Sequence, residues 1–363
     1  MIINRSFFSF TSFENALFLK KDVFSFIRLS AAVMVLYAHA YHIYGLGADP
    51  LTRIFGVYTG TVAVYIFFTI SGFFITQSAM QRNFYQFTIA RLSRIYPALI
   101  VANIITVIII IPLSNNVNFF SFVFSDEVKE FIKINSTLQT VKFTITNIYI
   151  QHPDQAINGS LWTLPVEIRA YIMALLLVMF GVSSNLVKFN AFFFLAIVLN
   201  QIFPDFLLTL FPIPGAVNLI FFFLIGSALF INKKYIPLSP ALTFLLIICL
   251  ILFKGSFSPL VLSFLVSYII IALGFSLGNC KFLIFKQDYS YGLYLYAYPV
   301  SQLAYMHFHV LGFSYYIIAI CIISLLFAFI SWHCIEQPMN VFVRAKIFPL
   351  IKTLYSRYHL NES

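Results

Sequence analysis

Long apolar runs separated by short polar breaks dominate the chain, and the length of those runs gives the first structural reading. A helix needs about 20 apolar residues to cross the hydrocarbon core of a bilayer. Cutting the sequence at its charged, Pro, Gly and Asn punctuation leaves ten stretches near that length: 22–45, 56–81, 95–113, 160–181, 187–204, 214–231, 238–253, 257–275, 289–308 and 313–335. The breaks near Pro212 and Pro214 and between Lys254 and Phe257 rest on the thinnest punctuation. The pattern predicts an all-α, polytopic transmembrane helical bundle of about ten spans. It divides the chain into a lead over 1–21, a membrane domain over 22–335 and a tail over 336–363, with a long external loop at about 114–159.

Composition agrees with that pattern. Of 363 residues, 61% are hydrophobic and 9% charged, and the mean hydropathy is +0.93. Soluble chains carry about 25% charged residues, so there is too little polar surface to coat a water-soluble core. The net charge of +10 does not point to nucleic acid, because the basic residues are scattered singly between apolar runs and form no patch. Membrane lipid explains them better, through orientation. With the N-terminus inside, fifteen of the 22 Lys and Arg fall in cytoplasmic segments (among them Arg5, Lys20, Lys21, Lys352 and Arg357), five fall outside, and Arg28 and Arg169 lie within spans. Retention of positive charge in the cytoplasm therefore places both termini there. No cleavable signal precedes the first span. The external loop carries Asp126, Glu127, Glu130 and Asp154 and is expected to cap the outer mouth. Asn135 and Asn158 begin N-x-S/T triplets, a pattern that arises often by chance. Four cysteines without metal-ligand spacing predict no disulfide framework and no metal site.

Charged residues inside spans demand an explanation, since one at the bilayer centre costs about 2.5–3.5 kcal/mol on insertion scales. Arg28 and His39 lie eleven residues apart, three helical turns plus about 20°, so they share one face of the first helix, roughly 16 Å apart. Glu167 stands at a similar depth from the outer end of the fourth span as His39 does in the first. The two are expected to meet, with the carboxylate orienting the imidazole as a base. Plainer readings stay open: Arg28 snorkelling to inner headgroups, His39 as a packed polar residue, and Glu167 paired with Arg169 or Arg28.

The pieces so isolated resemble the motifs of the membrane-bound acyltransferase type 3 family. Arg28 through His39 is similar to that family's Arg-x10-His first helix, and Phe67-Phe68-Thr69-Ile70-Ser71-Gly72-Phe73 to its FFxxSGF. Arg91-Leu92-Ser93-Arg94-Ile95-Tyr96-Pro97 resembles its RxxRIxP cytoplasmic turn, and Ser160-Leu161-Trp162 through Glu167 its SLWxLxxE. Tyr289-Ser290-Tyr291-Gly292-Leu293-Tyr294-Leu295 resembles SYxLYL, and Ile335-Glu336-Gln337-Pro338 the closing IExP. Many members continue SYxLYL with xHxP, whereas this chain reads Tyr296-Ala297-Tyr298-Pro299.

The resemblance implies transfer of an acyl group, usually acetyl, from cytoplasmic acetyl-CoA to a hydroxyl of a cell-envelope polysaccharide or lipid-linked glycan, in the bacterial inner membrane. Acetyl-CoA is then a substrate, and no tightly bound cofactor is expected. His39 becomes the general base or a transient acyl carrier, with Glu167 orienting it. Arg82, Arg91 and Arg94 suit the coenzyme A phosphates, Arg28 helps hold the donor's pantetheine or phosphate end, and Ser71 offers a hydroxyl to the thioester oxygen or packs as a small residue. Trp162, Tyr291 and Tyr294 form a sugar-stacking platform or belong to an interfacial aromatic belt. Two other classes compete: a transporter or flippase with a polar path lined by Arg28, His39 and Glu167, and a non-catalytic membrane sensor.

Overall fold

The computed structural model describes residues 11–353 apart from 20–21, 116, 211, 214, 254–257 and 352. Lys20, Lys21, Lys254, Lys352, Arg5 and Arg357 of the charge count, and the break after Lys254, lie outside the described residues. All ten predicted stretches contain a helix: α1 Phe24–Ile43, α2 Thr59–Gln81, α3 Phe84–Ile105, α4 Thr163–Met179, α5 Leu186–Ile202, α6 Ala216–Ile231, α7 Pro240–Leu252, α8 Pro259–Ser276, α9 Ser290–Phe308 and α10 Phe313–Ser331. Side chains start several of them as expected of polar caps. Asn83, Asn185, Ser239 and Ser258 each accept a backbone N–H three residues on, from Gln86, Lys188, Leu242 and Val261.

Among the described residues six helical segments are long and apolar enough to cross a membrane: Phe24–Ile43, Thr59–Gln81, Phe84–Ser114, Gly159–Met179, Pro259–Asn279 and Phe313–Ile351. Helices α5, α6 and α7 are apolar but shorter. Phe194, Ile251 and Ile322 are largely exposed on the outside of the bundle, as side chains facing acyl tails would be.

The centre of the bundle is the crossing of α2 with α6. A Cβ on Gly72 would lie 1.9 Å from the carbonyl oxygen of Phe223, and one on Gly226 2.2 Å from that of Thr69. Two backbones are therefore in direct contact, a use of small residues typical of membrane helices. Thr76 donates to Ser227 at 2.8 Å beside it. Tyr65 stacks on Phe222 and Phe73 packs against Phe230, so the two helices run parallel.

That direction fixes which segments share an end. Arg82, at the close of α2, lies at the same end as Lys233, after α6, and Lys233 pairs with Glu14. There Thr11–Ser12 pairs antiparallel with Pro237–Leu238. Phe348 lies against Arg82, so the last described helix returns to that end too. At the opposite end the long loop folds on a small core of its own, with Val128 and Phe131 of a helix over Asp126–Thr137 packed on Val107, Ile111 and Tyr149.

Two boundaries differ from the sequence reading. The third predicted stretch began at 95, but α3 starts at Phe84, so Arg91 and Arg94 lie within a helix and not on a turn before it. The Asn83 cap starts the helix early, and ion pairs described below compensate Arg94, which lets the helix carry charge. The boundary at 335 falls inside a continuous helix running to Ile351. A wide π-type turn at Trp332–Glu336 absorbs the missing N–H of Pro338 without ending the helix.

Candidate active site in two halves

At the end of the bundle that holds Arg82, called the inner end from here on and its opposite the outer, a cavity of about 360 Å³ opens between α1, α2, α3, α4 and α9 and the helix that continues α10. Arg28, Arg82, Arg91, Arg94 and Arg344 line it, with Glu167 and Asp288 as carboxylates and Ser71, Tyr291 and Tyr294 on its walls. Local geometry explains the convergence. Arg91 and Arg94 are three residues apart on α3 and so project from one side. Ser71 turns to the cavity while its neighbour Gly72 faces α6, so this pair both lines and packs.

The arginines fall into two groups. Asp288 binds Arg28 at 3.0 Å and Arg94 at 3.1 Å, and Glu336 takes the other side of Arg94 at 3.2 Å. Ser290 and Ser331 donate to Asp288 and Glu336 in turn. Burial alone would push the Asp288 carboxyl up. The guanidinium groups of Arg28 and Arg94, with the Ser290 bonds, outweigh it and hold Asp288 below the usual carboxylate range. Arg28 therefore does not snorkel to headgroups; it is tied to the loop before α9. Arg82, Arg91 and Arg344, by contrast, form no salt bridge among the described residues. The buried Nε of Arg91 has no hydrogen-bond partner. Burial, then the neighbouring charges of Arg91 and Arg344, weaken the hold of Arg82 on its proton. Arg82, with Arg91 and Arg344 as like-charged neighbours, gives this side of the cavity a positive excess.

Glu167 belongs to this inner half. Tyr171 donates to its Oε1, and Arg91 and Arg94 are its charged neighbours. It does not meet His39, contrary to the equal depths inferred from span ends. The cause is how the loop enters. A 3-10 turn at Gly159–Trp162 already lies within the bundle, with Ser160 and Leu161 buried and Gly159 against the Tyr298 ring. Tyr298 is also the ring 4.8 Å from His39. Gly159 thus shares the level of His39, and Glu167, eight residues on, lies about 12 Å further in. Arg169 reaches the other way, to the carbonyl of Gln139 in the loop.

The outer half is built from aromatic rings. His39 is half-buried between Tyr58 and Tyr298; the Tyr58 hydroxyl lies 3.4 Å from its Nδ1. His42, one turn on, binds Asp154 at 3.1 Å, and Tyr298 donates to the same carboxylate. Between the halves lies a layer formed by Val35, Ala63 and Phe67 with Tyr294, whose hydroxyl meets Thr163 at 2.6 Å and the Ser160 carbonyl at 2.7 Å.

The predicted sugar platform is dispersed. Tyr291 donates to the Ile95 carbonyl and lies under Arg94, Tyr294 is buried in the dividing layer, and Trp162 packs against Gly215 away from the cavity. The side chains of Asn135 and Asn158 are buried and bound to backbone at Lys142 and Leu295, so both serve the loop's fold. Sequence reasoning passed over Asp154, Asp288, Tyr58, Tyr298 and Arg344 as site residues. Of these only Asp288 carried a usable signal, an acid directly before the SYxLYL segment.

Comparison with known proteins completes the picture. The Acyltransferase domain family matches residues 23–333. An O-acetyl transferase of Shigella phage Sf6 is 30% identical over 347 residues, covering 88% of this chain and 96% of that protein. Nodulation protein 10 of Rhizobium leguminosarum bv. viciae is 31% identical over 161 residues, 42% of each chain. No solved structure matches. The chain belongs to the membrane-bound acyltransferase type 3 family and is a multi-pass membrane O-acetyltransferase.

Proposed function

We propose that the protein carries an acetyl group from cytoplasmic acetyl-CoA to a hydroxyl of a cell-surface polysaccharide or its lipid-linked precursor, across the bacterial inner membrane. In this reading all ten helices span the bilayer, both termini are cytoplasmic, and the arginine-lined end faces the cytoplasm. The observation that carries it is the cavity holding five arginines against two carboxylates, beneath an imidazole set in the opposite half.

Arg82, Arg91 and Arg344 receive the donor's phosphates, since none of them forms a salt bridge among the described residues. Arg28 and Arg94, fixed by Asp288 and Glu336, form the rigid wall along which the pantetheine arm runs, with Ser71 and Tyr291 beside it. Glu167 and Tyr171 close the inner side and place Arg91. The thioester then reaches the Tyr294 layer below His39.

The chemistry follows one of two balanced routes. In the direct route the acceptor hydroxyl oxygen attacks the thioester carbon; a C–O bond forms, the C–S bond breaks, and His39 passes the hydroxyl proton to the departing thiolate. In the relayed route the His39 nitrogen takes the acetyl group first, releasing the thiolate; the acceptor hydroxyl then displaces the imidazole, and the freed imidazole passes the hydroxyl proton to the thiolate. When Nδ1–H of His39 donates to Tyr58, Nε2 keeps the lone pair that both routes require. The test is transfer of labelled acetyl from acetyl-CoA to glycan by the purified protein. Labelled glycan and free coenzyme A thiol are expected; a protein that moves glycan without consuming acetyl-CoA is a transporter, and the proposal fails.

A further inference from the structure

The segment after the loop's own core is stitched into the outer end of α9. Gln302 is fully buried; its amide donates to the carbonyls of Asp154 at 2.8 Å and Ala156 at 2.7 Å, and its oxygen meets His152 Nδ1 at 2.7 Å. The Asn158 amide donates to the Leu295 carbonyl at 2.9 Å. These bonds hold Asp154 in one place, although it belongs to a loop. Its Oδ1 accepts the Ala156 N–H at 2.9 Å, while its Oδ2 faces both the Tyr298 hydroxyl and His42 Nε2. Asp49, another acid at this end, is spent on a helix cap, taking the backbone N–H groups of Leu51 and Thr52 and the hydroxyls of Thr52 and Thr59.

We propose that Asp154 is the positioning carboxylate of the outer pocket, fixing Tyr298 and His42 around His39 and stabilising the positive charge that His39 acquires during transfer. This rests on the acyl-transfer reading of His39. Both routes make that imidazole cationic, by a proton or by an acetyl group, in a site walled by rings and poorly hydrated. A fixed carboxylate one ring away offsets such a charge without reorganising at the moment of reaction. The geometry also gives the approach. His42 is 56% exposed at its side chain and Asp154 19%, so their pair forms the rim through which a sugar hydroxyl descends towards His39. Glu167, the acid expected in this role, lies too far inward to perform it.

The test uses the full-length protein in nanodiscs, acetyl-CoA labelled in the acetyl group, and lipid-linked glycan extracted from the cells that express it. Asp154→Asn removes the charge while keeping one acceptor oxygen for the Ala156 N–H; its amide then faces the Tyr298 hydroxyl as a donor in place of the second carboxylate oxygen. Its kcat is expected to fall about 10²-fold, the loss seen when one preorganised stabilising group is removed. The KM for acetyl-CoA and the melting temperature should stay at wild-type values, and Asp154→Glu should recover part of the kcat. An Asp154→Asn protein with wild-type kcat overturns the proposal while leaving the function intact. So does one in which kcat, donor KM and melting temperature all change together, since that marks a merely structural acid. A wild type that consumes no acetyl-CoA overturns the parent reading, and this one with it.

Discussion

At the inner end of the bundle five arginines and two carboxylates crowd one cavity, and Arg28 and Arg94 are paired there before any ligand arrives. At the outer end Asp154 serves a histidine and a tyrosine among rings, and His39 has an aromatic hydroxyl for its hydrogen-bond neighbour. The inner half holds standing charge, and carboxylates within the protein offset only the part carried by Arg28 and Arg94. In the proposed mechanism the outer half holds a group whose charge changes during the reaction, beside one fixed carboxylate. On that reading one end receives an anion and the other lets a charge come and go.

The sharpest way to break this contrast is to remove the changing charge. His39→Ala is expected to reduce glycan acetylation by about 10²–10⁴-fold, the usual share of a positioned acid–base group. Protein abundance and binding of acetyl-CoA should persist, since the inner cavity does not include His39. Activity assays beside equilibrium binding of the donor check both; full activity in this variant removes His39 from the chemistry and leaves the outer pocket as a structural feature.

Next comes the standing charge. Glu336 is buried, bonded to Arg94 and Ser331, and sits on the π-type turn that carries the chain past Pro338. Glu336→Ala strands part of a buried guanidinium and is expected to cost roughly 3–5 kcal/mol of stability, read as a large drop in melting temperature. Glu336→Gln, which keeps the shape and one acceptor oxygen, should cost less. Unchanged melting in both variants would mean that the inner network is not what holds this helix in place.

Much of this was legible in the sequence, for a physical reason. Crossing a bilayer forces an apolar length that tolerates few substitutes, and a helix stands in each of the ten apolar runs, although among the described residues six helical segments are long and apolar enough to span. Arg28, Ser71, Arg82, Arg91, Arg94, Tyr291 and Tyr294 all line the inner cavity, because spacing on a helix fixes the face. Depth was harder to read. Glu167 was placed beside His39 by counting from a span end, but the loop before it enters the bundle at Gly159, and no periodicity records where an irregular segment dips inward. Asp154 was hidden likewise: its position depends on Gln302, 148 residues away.

A finer division within the inner half comes next. If unpaired arginines receive the donor's phosphates, Arg91→Ala and Arg344→Ala should each raise the KM for acetyl-CoA about tenfold, equivalent to about 1.4 kcal/mol, with the acceptor KM unchanged. Titrating the donor against a fixed glycan concentration separates the two constants. A shift confined to acceptor KM would assign these residues to the wrong substrate.

The smallest expected effect concerns pH. Arg28 and Arg94 hold Asp288 below the usual carboxylate range despite its burial, so the folded protein binds this proton less readily than the unfolded chain does. A depressed carboxyl contributes stability that is present above its unfolded value, about 3.9, and is lost as pH falls through the folded one. Asp288→Asn should therefore melt below the wild type at neutral pH, and the gap should narrow as the medium is acidified past about pH 4. Melting curves of both proteins in the same detergent, from neutral to acid, give that difference directly. The outer half supplies the control: Asp49 is also held low, against the pull of its burial, with hydrogen bonds from Thr59, Thr52 and Leu51 as the causes. Added salt screens charge pairs more than neutral hydrogen bonds, so it should shrink the Asp288 contribution more than that of Asp49. Equal salt sensitivity at the two acids would show that their environments differ less than their partners imply.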